Sequence, residues 1–321
     1  MALKKINCEL GLNTAPKQTA TYAAVLTTFN AVNTLDSALE SILNQSIQPS
    51  EIIIIDDCST DQTYERLLEK TNGIPNTKVL RNLSNMGQSY SKNLASRECT
   101  SDLLVFFDDD DIAHPERSRE HLAMLQKGAD VSFVSSNKRY PNSYQVSCRN
   151  NESGVLKVDA VEMFKRLAFG EKIGLKGELW IPSSTSAIKR DFLNSLKGFD
   201  VEMRRLEDAE FVVRAALNHG CFAWSSKILV DRFYTVSPEK GGTTEMLYED
   251  KFISKFQFLV DPREYKKALR LIAIRRAYFA GQKLKFISLI LKSPDVIFFA
   301  PSRVLNFFRR LSHDWSIRNA K

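Results

Sequence analysis

A doubly wound α/β sheet is the fold this sequence predicts, and three observations predict it. Short, almost wholly apolar runs recur at Tyr22 to Leu26, Ile52 to Ile55 and Leu103 to Phe107, the pattern of strands buried on both faces. Between them lie segments with apolar residues at spacings of three and four, the mark of amphipathic helices. Strand and helix then alternate over roughly 120 residues, which points to parallel βαβ units.

The elements follow in order. Residues 1–19 read as a polar lead-in. The first strand breaks at "TTFN", and Leu35, Leu39, Ile42 and Leu43 mark a helix after it. "EIIIIDD" is a second strand. Ser59 and Gln62 behind it have capping-box spacing, which predicts a helix with Leu67 and Leu68 inward. "TKVLRN" is a third strand and "GQSYSKNLASREC" a helix; "DLLVFF" is a fourth strand. "HPERSREHLAMLQK" reads as a helix with Pro115 at its first position, and "ADVSFVSS" as a fifth strand. Beyond residue 137 the rhythm changes. "NKRYPNSYQVSCRNNESG" is polar and turn-rich, followed by helices at "DAVEMFKRLAF" and "EDAEFVVRAALNHG" and by extended "AWSSKILVDRFYTV". These shifts predict a lead-in at 1–20, two halves at 21–136 and 137–243, and a tail at 244–321.

Composition narrows the class. Five scattered cysteines form no CxxC pair, so neither a disulfide scaffold nor a zinc knuckle is expected, and a reducing compartment fits. The four histidines make no helix-borne metal pair. No basic segment leads into an apolar core at the start, so no secretory signal is expected. No run approaches the roughly 18 apolar residues of a transmembrane helix. The net charge of +7 is unevenly placed: residues 262–321 hold 14 Lys and Arg against Glu264, Asp295 and Asp314, a local +11. "YKKALRLIAIRRAYFAGQKLKFISLILK" mixes helical apolar spacing with cations. "PSRVLNFFRRLS" sets Val304, Phe307, Phe308 and Leu311 on one stripe flanked by Arg303 and Arg310. Such helices suit an anionic membrane surface, the partner expected for residues 262–321, although the same helices could pack on the body with their cations in water. Nucleic acid is not expected, because no recognised module accompanies the charge.

The chemistry gathers where apolar runs stop. In doubly wound sheets ligands sit beyond the carboxyl ends of the strands. Three such ends are polar here: Thr27 to Asn30, Asp56 with Asp57, and Asp108 to Asp111. Carboxylates suit a hard divalent cation, Mg²⁺ or Mn²⁺, which commonly takes one or two of them together with substrate phosphates. Aspartates one residue apart at a strand end can point to one side. The competing reading, a solvated loop whose charge caps the next helix, is weakened by the second acidic pair on a neighbouring strand. Within that pair at least one carboxylate should face the crevice, where it can accept a nucleobase N–H. Glu207 and Asp208, in the first turn of a helix, read on composition alone as complements to its dipole. His114 fits better as the residue before a Pro-started helix than as a ligand.

Taken together, these segments resemble the family 2 glycosyltransferases, inverting nucleotide-sugar enzymes of the GT-A fold. The resemblance is carried by "VLTTFNAVNTLDSALESILNQSIQPSEIIIIDDCSTDQT", "NMGQSYSKN" and "LLVFFDDDDIAHPER", and extends over about residues 21–240. It implies a GT-A-type, mostly parallel central sheet with helices on both faces, plus a basic helical C-terminal region. It implies that Thr27, Phe29 and Asp57 hold the base, most often uracil, within a nucleotide-sugar set of Thr27, Thr28, Phe29, Asn30, Asp56, Asp57, Asn85, Gly87, Lys92, Asp108 and Asp109. Asp108 and Asp110 match the ends of the family's DxD motif and would hold Mn²⁺ or Mg²⁺. Asp208 matches the family's catalytic base, with Glu207 beside it, and "KGFD" resembles the segment that precedes that base. The first half would then bind the nucleotide-sugar, and the second would bind acceptor and carry the base. Two departures stand out: Phe29 replaces a frequent Tyr, and Ser237 falls where the family often has a His. The implied activity is metal-dependent, inverting transfer from a UDP-sugar to a hydroxyl of a glycan or lipid-linked acceptor in cell-surface polysaccharide or lipopolysaccharide synthesis. The implied location is peripheral, on the cytoplasmic face of the inner membrane. Two other classes compete. A sugar nucleotidyltransferase should carry a Gly-rich, cationic loop after the first strand, and "TTFNAVNTL" has neither feature; a non-catalytic nucleotide-sugar or membrane-binding module would tolerate loss of Asp208.

Overall fold

The computed structural model describes residues 20–140, 145–151, 153–169, 179, 181–233 and 242–293. It divides into two compact units, Met1–Asp159 with Lys176–Thr235, and Ala160–Leu175 with Val236–Lys321.

The first unit opens with the expected alternation: β1 (Tyr22–Thr28), α1 (Leu35–Leu43), β2 (Glu51–Asp56), α2 (Thr63–Thr71), β3 (Thr77–Arg81), α3 (Gln88–Glu98) and β4 (Leu103–Asp108). After them come β5 (Asp111–Ala113), α4 (Arg117–Gln126), β6 (Val131–Arg139), β7 (Gln145–Cys148) and β8 (Leu156–Lys157). Helix α5 (Ala160–Phe169) belongs to the second unit. Strand β9 (Ser186–Lys189), α6 (Arg190–Ser195), α7 (Glu207–Leu217) and β10 (Cys221–Phe233) complete the first. The sheet runs β3-β2-β1-β4-β9-β6-β10-β5, with β7 beside β6 and β8 beside β10. Strands β3, β2, β1 and β4 are mutually parallel, as are β6 and β10. Between β4 and β6, β9 runs antiparallel to both.

Register sets the strand ends level. Thr28 lies opposite Asp56 across β1 and β2, and Thr27 opposite Asp108 across β1 and β4. Leu26, Ile54 and Val105 are fully buried in one core cluster with Leu35, Ile42 and Leu67. Each such burial contributes roughly 1.5–3 kcal/mol, enough to hold three polar strand ends in one plane. Cys99, Cys148 and Cys221 are buried and form no disulfide, small core side chains as expected.

Three local expectations are corrected. Helix α2 starts at Thr63 instead of behind a Ser59 cap: Ser59 Oγ accepts the Asn30 N–H at 2.9 Å, while Asp61 Oδ1 accepts from Thr63 N. Leu68 is 48% exposed, since the buried side of that short helix is Thr63, Leu67 and Thr71, spaced by four. Helix α4 begins at Arg117, not Pro115, whose carbonyl is taken by the Ser46 N–H in the preceding turn.

The second unit is helical where described: α5, α8 (Gly242–Lys255), α9 (Pro262–Phe279) and α10 (Lys283–Leu291). Phe164, Phe252 and Phe256 meet at centroid distances of 5.5–5.9 Å. Lys165 pairs with Glu264 at 2.7 Å, Arg275 with Glu249 at 2.6 Å, and Arg276 with Asp250. Asp261 caps α9 by accepting the Arg263 N–H, with Pro262 in the first turn where its missing N–H costs nothing. Among the described residues no helix is long and apolar enough to cross a membrane. The stripe at Val304 to Leu311 and Ser237 lie outside the described residues.

Candidate active site

At the end of β1 the chain turns through Asn30, whose φ of 52° is left-handed. Asn is among the few non-glycine residues that visit that region, and its Oδ1 accepts from Thr60 N at 2.8 Å. The turn leaves the Phe29 ring 44% exposed while its N–H donates to Asp109 Oδ2 at 2.9 Å. Thr27 and Thr28 are buried just below, and Thr27 Oγ1 has no hydrogen-bond partner.

The acidic pair after β2 splits. Asp56 is fully buried, pairs with Arg81 Nε at 3.2 Å and accepts from Ser59 N. Asp57 accepts from Met86 N and Gly87 N, both at 2.8 Å, and from Asn82 Nδ2 at 2.6 Å. It therefore pins the loop that starts α3. Gly87 sits at φ +87°, a conformation that side chains rarely adopt. Arg204, from the loop before α7, reaches the same turn and donates to Asn85 Oδ1 and Asn85 O at 3.2 and 3.0 Å.

At the end of β4, single carboxylate oxygens of Asp108, Asp110 and Asp111 lie within 4.8 Å of one another. Asp109 is turned toward Phe29, and burial pushes its carboxyl up to about 7. Asp111 faces Arg232 on the antiparallel β5–β10 ladder, at 3.6 Å. Burial first and the Asp108 charge second push it up, and Arg232 opposes them. Arg117 lies fully buried nearby, donating to the Phe106 carbonyl with its guanidinium 4.3 Å from the Phe107 ring centroid. Burial lowers it to about 10, while the Asp111 and Asp108 charges sustain its cationic form. Three hard oxygen donors, one of them adjoined by the buried, unbonded Asp108 Oδ1, fit a divalent cation such as Mg²⁺ or Mn²⁺. His114 is no part of this cluster; its Nδ1 accepts from Glu116 N.

The second carboxylate pair opens α7. Leu206 caps it in the left-handed region, φ 61°, so Glu207 and Asp208 emerge abruptly from the loop. Glu207 is buried 3.6 Å from Lys92 Nζ, and Lys92, itself fully buried, donates to Ser183 Oγ at 2.6 Å and Gln88 Oε1 at 3.0 Å. Asp208 is half-buried and accepts from its neighbour's N–H, Ala209, at 2.7 Å. Burial raises both carboxyls above their ordinary range, and the Lys92 charge opposes that rise in each. The Arg232 charge opposes the rise of the Asp208 carboxyl as it does that of Asp111.

The first unit thus assembles Thr27, Thr28, Phe29, Asn30, Asp57, Asn85, Gly87 and Asp108 to Asp110 around the carboxyl ends of β1, β2 and β4. Asp56 points to Arg81, and Lys92 to Glu207. Sequence reading placed Asp111 in the acidic strand end without assigning it to the metal, and missed Arg117, Ser183 and Arg232. Asp111 was visible inside the DDDD run, but its role depends on a strand pairing 121 positions away, Asp111 with Arg232. A cavity of about 490 Å³ among Thr21, Glu51, Asn76 and Thr100 lies at the opposite, amino ends of the strands and holds none of these groups.

Comparison with known proteins agrees with this geometry. The family model "Glycosyl transferase family 2" matches residues 23–196, more than half of the chain. An uncharacterized glycosyltransferase of Haemophilus influenzae is 27% identical over 194 residues, 59% of this chain and 60% of its own. The poly(ribitol-phosphate) beta-N-acetylglucosaminyltransferase TarS of Staphylococcus aureus is 25% identical over 261 residues, 79% of this chain and 40% of TarS. The chain therefore spans about three-fifths and two-fifths of these relatives' lengths. The crystal structure of S. aureus TarS 1–349 in complex with UDP-GlcNAc matches with a TM-score of 0.60 at 18% identity, over 88% of this chain and 82% of that one, and shows the shared fold. This chain belongs to glycosyl transferase family 2.

Proposed function

We propose that the enzyme moves a sugar from a nucleotide-diphosphate donor, a UDP-sugar, to a hydroxyl of a glycan or lipid-linked saccharide in cell-surface polysaccharide or lipopolysaccharide synthesis, with inversion at the anomeric carbon. The observation that carries this reading is the cluster of three carboxylates, Asp108, Asp110 and Asp111, at the carboxyl end of β4, in a first unit that also presents the half-buried Asp208 beside Glu207. A donor of uridine type is supported by the UDP-GlcNAc complex of TarS, and a surface-polymer acceptor by the poly(ribitol-phosphate) in that relative's name.

In this reading Phe29 offers a ring face to the base and Asp57 fixes the loop beside it. Asp108 and Asp109 lie toward the ribose. Asp108 and Asp110, with Asp111 adjoining, hold the divalent cation. Such a cation, when bound, supplies Lewis-acid stabilisation of the charge on the departing diphosphate. Asp208, the more open of its pair, takes the proton of the attacking hydroxyl, while Glu207 stays anchored to Lys92. Attack opposite the leaving group gives inversion.

The test is a panel of UDP-, GDP- and dTDP-sugars assayed for Mn²⁺-dependent hydrolysis and transfer. UDP-sugars are expected to be consumed, and consumption of none of them would end the proposal. Asp110→Ala should weaken Mn²⁺-dependent UDP binding by roughly 10–100-fold or more, since a direct ligand matters at least as much as its supporting shell. An unchanged calorimetric titration would remove Asp110 from the metal site.

A pH prediction follows from the raised Asp208 carboxyl. The base acts only when ionised, so transfer falls as pH drops through that raised value. The acid limb of kcat/KM is therefore expected above the ordinary aspartate range of about 4. Lys92→Met removes a charge that favours ionisation and should move the limb further up; a limb left in place would show that Lys92 does not act on the pair.

A further inference from the structure

Helix α10 carries two apolar faces, and among the described residues only one of them has a partner. Phe286 packs edge-on to Tyr278 at 5.4 Å, and Leu289 and Ile290 are half-buried on the same side. On the other side Leu284, Ile287 and Leu291 are 86%, 53% and 75% exposed. At about 100° per residue these three fall on one narrow stripe. On the same wheel Lys283 flanks that stripe on one edge, and Lys285 and Lys292 flank it on the other; all three are exposed. The stretch from Tyr265 to Ser293 contains eight Lys and Arg and no Asp or Glu. Of these, Arg275 and Arg276 are committed to Glu249 and Asp250, and the lysines of α10 extend into solvent.

We propose that α10 is a membrane-docking helix that lies in the plane of an anionic phospholipid surface. Leu284, Ile287 and Leu291 enter the headgroup–acyl boundary, and Lys283, Lys285 and Lys292 meet the lipid phosphates. The occupant is selected by charge as well as by apolarity. Lysines on both edges of an apolar stripe can bury their methylene stems while their ammonium groups stay at headgroup level. A second copy of this face would oppose the same lysines to one another with no acid between them, so self-association is disfavoured. The leucine–isoleucine stripe in the middle of the patch offers nothing to a nucleic-acid backbone. A helix of nine residues cannot span a bilayer, so it rests on the surface. The cytoplasmic leaflet of a bacterial inner membrane is an anionic surface of this kind, and docking there would set the enzyme beside lipid-linked acceptors.

The proposal is independent of donor chemistry, because α10 holds none of the acidic groups, and its test separates the two. Full-length protein is co-sedimented with phosphatidylcholine vesicles and with vesicles of phosphatidylcholine and phosphatidylglycerol. Wild type is expected to bind only the second, and more weakly as salt rises. One triple variant, Leu284→Ser with Ile287→Ser and Leu291→Ser, should abolish binding. A second, Lys283→Gln with Lys285→Gln and Lys292→Gln, should weaken it by about 100-fold, at roughly fivefold per lysine. Both variants should keep wild-type thermal midpoints and vesicle-free donor hydrolysis, since they alter solvent-facing positions. Equal binding to both vesicle types, no binding to either, or variants that bind like wild type would overturn the assignment. So would a wild-type dimer by light scattering that the serine variant dissolves, which would make this face a protein interface.

Discussion

Asp208→Asn is expected to lower sugar transfer by about 10²–10⁴-fold, the span that general-base catalysis ordinarily supplies, while UDP affinity stays within about twofold of wild type. The substitution is nearly isosteric. Asn Oδ1 can still accept the Ala209 N–H that Asp208 accepts at 2.7 Å, so the first turn of α7 keeps its geometry. What disappears is the capacity to take a proton. Glu207, the adjacent acid, cannot substitute: it is buried, and its carboxylate is oriented toward Lys92. Glu207→Gln should behave differently. It leaves the fully buried Lys92 ammonium with only the neutral Ser183 and Gln88 acceptors, so thermal stability should fall along with rate. Initial transfer rates and calorimetric UDP titrations on the two variants separate the roles. Near-wild-type turnover in Asp208→Asn would transfer the base to another group.

The parts legible in the sequence are those fixed locally. Each strand reaching the site is a run of residues buried on both faces, and the switch from apolar to acidic at Asp56 and Asp108 marks where each strand ends. A spacing of two brings Asp108 and Asp110 to one side and sends Asp109 to the Phe29 N–H. What stayed hidden depends on distant partners. Lys92 sits in "SYSKN", with no apolar neighbour to signal burial, yet it is enclosed by Ser183 and Glu207, more than 90 positions away. Arg117 carried no sequence signal of burial, yet it lies fully buried and donates to the Phe106 carbonyl, 11 positions away. The Ser59 spacing matched a helix cap, but its hydroxyl serves the β1 turn across 29 positions. Strand β9 could not be placed between β4 and β6 from periodicity, since four residues carry too little pattern to fix direction.

Gly198→Ala is expected to destabilise the first unit by about 2–5 kcal/mol. Two terms make up that figure. Gly198 sits at φ +75°, where an L side chain costs roughly 1–2 kcal/mol. An added Cβ would also lie 2.2 Å from Asn93 Oδ1, so Asn93 must move. Asn93 holds Phe199 at both ends, accepting its N–H at 2.7 Å and donating to its carbonyl at 2.8 Å, and each bond is worth about 0.5–1.5 kcal/mol. The damage should reach the chemistry as well as the melting curve. Phe199 packs edge-on to Phe106, just before the carboxylate cluster, at 5.6 Å, and against Phe211 of α7 at 4.9 Å. It therefore braces both acidic groups at once. The measurement is a double-mutant cycle with Asn93→Ala. Removing the amide relieves the clash, so Gly198→Ala in that background should cost only the backbone strain, and the two single penalties should sum to more than the double. Strict additivity would mean that the Cβ finds room without Asn93, and that the brace between the two acidic groups lies elsewhere.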